Sequence, residues 1–166
     1  MLAEKYQAEI DQILKKYPPD QKRAAVLPLL YLAQQEDGVI TKVAIAEIAA
    51  LLDLDETQVG ALIGFYTLLH DKPGGKIRIQ VCTDLPCALR GAEKFAEELC
   101  ENLGVRIGET TEDGFVTVEE VMCLAACDHA PMFQVQEPTG IHYHEDQTVE
   151  KALEVIEQYR KRESDA

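Results

Sequence analysis

Val81-Cys82-Thr83-Asp84-Leu85-Pro86-Cys87 and, after a gap of 35 residues, Cys123-Leu124-Ala125-Ala126-Cys127 decide how this chain is read. The four cysteines form a C-x4-C pair and a C-x3-C pair. No single helix or hairpin holds all four, so the fold must bring the pairs together. Two short thiol pairs that meet in space make a tetrathiolate metal site. Structural zinc usually takes C-x2-C knuckles. Spacings of four and three suit a cluster whose two irons spread their ligands, and C-x4-C also occurs in plant-type ferredoxins. The spacing therefore favours a [2Fe–2S] cluster. Structural zinc and a redox dithiol remain open at this point, the latter weakened because no C-x-x-C is present.

Composition narrows the classes. The 166 residues carry a net charge of −14, which opposes nucleic acid and anionic membrane surfaces alike. With 46% hydrophobic residues the chain can bury a core. No apolar run approaches the roughly 20 residues of a membrane span. The start, MLAEKYQAEIDQILKKY, lacks the basic and apolar regions of a signal peptide. Cysteines without an export signal fit a reducing cytoplasm. The fifth, Cys100, follows the helical pattern of Ala96 and Leu103 and reads as packing.

Around the cysteine frame the periodicities change once. Tyr6, Ile10, Ile13, Leu14 and Tyr17 predict a first helix, ended by Pro18-Pro19. A second helix is expected from Gln21 to Glu36, kinked at Pro28 and closed by Gly38. A third follows from Thr41 to Leu52. A fourth, opened by an Asp55/Gln58 capping box, runs to about Leu69, with His70 at its C-terminal end. These four helices, residues 1–72, are expected to form an N-terminal bundle, followed by the linker Asp71-Lys72-Pro73-Gly74-Gly75. Residues 46–60 also resemble a helix-turn-helix. The supposed reading helix has no Lys or Arg from Glu56 through His70, so nothing there grips phosphate.

From residue 76 the pattern becomes mixed. Lys76–Cys82 alternates as a strand that ends at the first cysteine. A helix from Leu89 to Leu103 follows, closed by Gly104. Phe115–Val121 is a strand leading to the second pair. Met132–Gln136 and Ile141–His144 flank a turn, and Thr148 to about Arg162 is a terminal helix. Gly60 and Gly64 lie within a helix and follow no strand, so no dinucleotide loop is present. Asp84, Asp113 and Asp128 are loop acids with no evident base partner.

The runs Gly64-Phe65-Tyr66-Thr67, VCTDLPCALRGAE, CLAACDHAP and His144-Glu145-Asp146, in this order, resemble the thioredoxin-like [2Fe–2S] subunit family of respiratory NADH:quinone oxidoreductase, complex I (the E subunit of bacteria). The resemblance covers about Tyr17 to Gln158. One position departs: Ala125 stands where relatives more often have glycine, which bears on the backbone and not on the ligands. The resemblance implies an α+β chain, a helical bundle followed by a thioredoxin-like [2Fe–2S] domain (β-α-β-β-β-α, residues 76–166). It implies one [2Fe–2S] cluster held by Cys82, Cys87, Cys123 and Cys127, with no catalytic residue in the chain itself. It also implies a partner, the flavoprotein subunit that binds NADH and FMN, docked through the bundle. The place implied is the cytoplasmic peripheral arm of a membrane-bound complex.

Further expectations surround the ligands. Cys87 is expected at the N-terminus of the Leu89 helix, whose dipole favours an anion, with Arg90 one turn in, either adding positive field or standing as a solvated surface residue. Pro131 precedes a strand where thioredoxin-like folds keep a cis proline, which raises a cis Ala130–Pro131 bond as a hypothesis against the generally commoner trans form; the sequence leaves the isomer open. His129 reads as a loop residue near the cluster. His142 and His144 share one face of a strand, a chelating pair or an exposed edge. The equivalent subunit of an NAD-linked hydrogenase or formate dehydrogenase is the alternative within the class. A zinc-stapled interaction or helix-turn-helix DNA-binding module is the alternative outside it.

Overall fold

The computed structural model describes residues 2–164, so the outermost residues of the two expected domains, Met1, Asp165 and Ala166, lie outside it. The chain divides into two compact units between Pro73 and Gly74.

The first unit is all-helical. It contains α1 (Leu2–Leu14), a 3₁₀ segment (Pro19–Ala25), α2 (Val26–Asp37), α3 (Lys42–Leu52) and α4 (Glu56–Phe65). Ile10, Leu29, Leu30, Ile40, Ile48 and Val59 form its buried core. Thr41 caps α3, accepting from the Ala44 N–H at 3.2 Å. The capping box at α4 forms as expected, the Asp55 N–H donating to Gln58 Oε1 at 3.2 Å. Gly38 closes α2 at φ 69°, its N–H donating to the Gln34 carbonyl at 2.8 Å.

Two expectations here need correction. The helix predicted from Gln21 to Glu36 is divided: a 3₁₀ segment ends at Ala25 and α2 begins at Val26. Pro28 therefore causes no mid-helix kink. It sits in the first turn, where a backbone N–H would have no intrahelical acceptor. The helix predicted to reach Leu69 stops at Phe65, so His70 does not end a helix. Instead the buried Gln34 side chain holds residues 66–70. Its Nε2 donates to the Leu68 carbonyl at 2.8 Å, and its Oε1 accepts from the His70 N–H at 2.7 Å. The His70 carbonyl accepts in turn from the Ile40 N–H at 2.7 Å.

The second unit is a four-stranded mixed sheet, ordered β2-β1-β3-β4, with β1 (Ile77–Cys82), β2 (Val116–Val121), β3 (Phe133–Glu137) and β4 (Gly140–His144). β1 and β2 are parallel, so their connection must cross over, through α5 (Leu85–Leu89) and α6 (Ala92–Leu103). β3 and β4 add antiparallel, and α7 (Val149–Ser164) follows. Alternation along β1 sets two faces. Ile77, Ile79 and Val81 join Phe95, Leu99, Phe133 and Ile156 in the main core. Arg78, Gln80 and Cys82 point the other way. There Gln134 Nε2 donates to Gln80 Oε1 at 2.6 Å, and Gln80 Nε2 donates to Glu119 Oε2 at 3.0 Å. Arg78 pairs with the same Glu119. The helix expected to run unbroken from Leu89 is interrupted: α5 ends there, Gly91 takes φ 88°, and α6 starts at Ala92.

The Asp113 carboxylate anchors the loop before β2 to α7 through Arg160. Arg160, the Thr111 hydroxyl and the Phe115 N–H together hold its pKa down to about 2. A depressed carboxylate stabilises the fold above its unfolded pKa and loses that contribution as pH falls through the folded value. The stability difference between wild type and Asp113→Asn should thus be full at neutral pH. It should shrink from about pH 4 downward and vanish near pH 2. Urea unfolding across that range is the measurement. A difference that does not change with pH would exclude this charge.

Candidate metal centre

Cys82 is the last residue of β1, and its N–H donates to the Met132 carbonyl at 3.2 Å. One residue on, the Thr83 N–H donates to the Val121 carbonyl at 3.1 Å. These bonds place the ends of β1 and β2 side by side with the start of β3. Asp84 then caps α5, accepting from the Leu85 N–H at 2.9 Å, and Cys87 lies within that helix. The expected position of Cys87 at the start of a long helix is corrected accordingly. A helix of five residues carries little macrodipole to stabilise an anion. Arg90, the residue after α5, is exposed.

The second pair lies in the turn after β2. Ala125 holds φ 61°, a left-handed conformation, and its N–H donates to Cys123 Sγ at 3.3 Å. Cys127 opens a 3₁₀ turn that ends at His129. The Ala130–Pro131 bond, whose isomer the sequence leaves open, is cis.

The structure brings all four predicted cysteines to this one end of the sheet. Cys82 and Cys87 are buried, in a small cluster with Ala92, Ala126, Ala130 and Met132. Cys123 and Cys127 are exposed. The thiols face each other two by two, Cys82 with Cys87 and Cys123 with Cys127, and the fields of the two pairs overlap. Burial, then the bond and charge of Cys82, then the second pair push the Cys87 thiol up to about 12. Cys127 is raised too, by partial desolvation and by Cys123. These thiols stay protonated at neutral pH unless a cation replaces the protons. Soft donors arranged in two pairs suit two irons, each taking two sulfurs.

A family model described as thioredoxin-like [2Fe–2S] ferredoxin matches residues 10–160. The chain belongs to this family. The family's cofactor is a [2Fe–2S] cluster, and the thiols at this end of the sheet are the donor type that such a cluster takes. The E subunit of NADH-quinone oxidoreductase from Rickettsia bellii is 40% identical over 151 residues, 90% of this chain and 88% of the relative. Subunit 2 of the NADH-quinone oxidoreductase of Thermus thermophilus is 42% identical over 128 residues, 77% of this chain and 71% of the relative. Among solved structures, an NAD+-reducing [NiFe]-hydrogenase in the H2-reduced state matches with a TM-score of 0.66 at 18% identity, over 82% of this chain. This chain spans 22% of that hydrogenase chain, and the likeness speaks for the fold alone. Membership of a [2Fe–2S] family replaces the zinc-stapled and DNA-binding alternatives.

The histidines are placed by packing. His129 Nδ1 lies 2.9 Å from Asp146 Oδ2, and Asp146 first, then Asp128, raises its pKa. His142 pairs with Glu137 at 3.0 Å. His144 stacks on Phe133, and burial lowers its pKa. Both of these histidine rings rest against Tyr159. The shared face expected of His142 and His144 is real, and an aromatic contact occupies it. Around the thiols, three apolar side chains stand in solvent, Leu85 at 68%, Leu89 at 80% and Met122 at 71% exposure.

A left-handed alanine costs about 1 kcal/mol where glycine would be free of strain. Ala125→Gly should therefore stabilise the metal-free protein by up to that amount in equilibrium urea unfolding. A clear loss of stability would show that the turn does not need φ above zero there.

Proposed function

We propose that the chain is the electron-transfer subunit of an NADH:quinone oxidoreductase, with Cys82, Cys87, Cys123 and Cys127 as the ligands of its [2Fe–2S] cluster. When bound, such a cluster takes up and releases one electron at a time. The observation that carries the reading is the division of the thiols. Cys82 and Cys87 are sealed in an apolar pocket, while Cys123 and Cys127 lie at the surface. The buried pair keeps water from one side of the centre, and the exposed pair leaves the other side open to a neighbouring protein. The chain supplies hydrogen bonds and shape rather than acid–base groups.

Subunit-named relatives at about 40% identity over most of the chain support a life inside such a complex. The partner we infer is the flavoprotein subunit that binds NADH and FMN, placed close enough for electron exchange. The helical unit, as a four-helix docking bundle, would seat on it. No described helix is long and apolar enough to cross a membrane, which accords with a place in the cytoplasmic, peripheral arm. The second reading is the equivalent subunit of an NAD-linked hydrogenase or formate dehydrogenase. Relatives named as NADH-quinone oxidoreductase subunits, at about 40% identity, rank it below the first.

The protein purified without oxygen should be red-brown, bleach with dithionite and give a low-temperature EPR signal when reduced. Cys87→Ala should cut bound iron by about tenfold or more, whereas Cys100→Ala, which changes a core thiol, should leave it unchanged. A colourless zinc protein, or iron retained in Cys87→Ala, would overturn the assignment. Deleting residues 1–70 should abolish co-purification with the flavoprotein, and retention would remove the docking role.

A further inference from the structure

The turn that carries Cys127 is held from outside by one residue of a different loop. Asp146 follows β4 and stands at φ 51°, a left-handed conformation that aspartate tolerates better than most non-glycine residues. That conformation points two of its groups at one neighbour. The Asp146 N–H donates to the His129 carbonyl at 2.9 Å, and Asp146 Oδ2 lies 2.9 Å from His129 Nδ1. Its carbonyl accepts from Lys151 Nζ at 2.8 Å, which ties it to the first turn of α7. The next residue repeats the attachment, the Gln147 N–H donating to the Pro131 carbonyl at 2.8 Å. On the other side, the His129 N–H donates to the Ala126 carbonyl at 3.1 Å and closes the turn around Cys127. Both His129 and Asp146 are exposed, so nothing in the core requires this arrangement.

We infer that Asp146 is a positioning residue for the metal centre: through His129 it fixes the Cys127 turn, so that the second thiol pair faces the first. The inference rests on the ligand assignment proposed above. The Cys123–Cys127 pair lies in a turn with little buried apolar surface, and such turns open easily. Groups one step behind a metal ligand typically change metal affinity by about 10- to 100-fold when removed.

The test uses the full-length protein with its cluster. Asp146→Gly keeps access to the left-handed backbone and removes the carboxylate. Asp146→Asn keeps an acceptor for His129 and tolerates the same φ. Asp146→Gly should release iron to a chelator about tenfold faster than wild type and shift the EPR signature of the reduced protein. Asp146→Asn should restore both. His129→Ala should match Asp146→Gly, and the double variant should be no worse than either, because the two residues act through one contact. Wild-type release and spectrum in Asp146→Gly, or additive effects in the double variant, would overturn the inference. Urea unfolding of the metal-free variants guards against a general loss of fold, which Asn would not selectively rescue. Failure of the wild type to hold iron would sink the ligand assignment itself and this inference with it.

Discussion

The parallel pairing of β1 with β2 is the constraint on which the site depends. Its register sets Cys82 opposite Val121, so two loops far apart in sequence leave the sheet at the same height. The Thr83 bond to Val121 extends that pairing by one residue into the loops, and the Cys82 bond to Met132 adds β3. Parallel strands require a covered crossover, and α5 lies in it, bringing Cys87 back toward Cys82. The thiol frame follows directly from the way the sheet is connected.

Electrostatics then give the frame its chemistry. Cys87 and Cys127, desolvated and set among the other thiols, resist losing their protons, Cys87 most of all. Positive charge between the sulfurs removes that resistance, so a cation-bearing cluster and a deprotonated frame stabilise each other. The chain itself is strongly acidic, at −14, which opposes adding an electron to an anionic centre. The backbone N–H of Ala125 acts in the other sense, since a donor aimed at sulfur stabilises added negative charge.

What could be read beforehand depended on how local its cause was. The Thr41 cap, the Asp55/Gln58 box and the Gly38 and Gly104 stops are written within a few residues and appear where expected. The gathering of the four cysteines at one end of the sheet is legible from their spacing, whereas the isomer before Pro131 is not fixed by any local signal. The failures have distant causes. Pro28 looked like a kink because the sequence does not reveal that Ala25 ends a 3₁₀ segment. Phe65 ends α4 because Gln34, from another helix, captures the chain after it. The hold of Asp146 on His129 joins residues 17 apart and follows no periodicity. Gly91 was the one neglected local signal, a residue suited to the left-handed break between α5 and α6.

The amide ladder on the polar side of the sheet has a consequence for how the protein avoids misassembly. Gln134 bonds Gln80 and Gln80 bonds Glu119, so three strands are tied across their width at a single level. If β1 slid by one residue, the Gln80 amide would turn into the greasy layer beside Phe95 and Leu99, and Cys82 would face the helices. Such a slipped chain would strand several hydrogen-bonding groups at once, which carries a heavy penalty. The correct heading of the first sulfur is thus guarded by residues that never touch a metal.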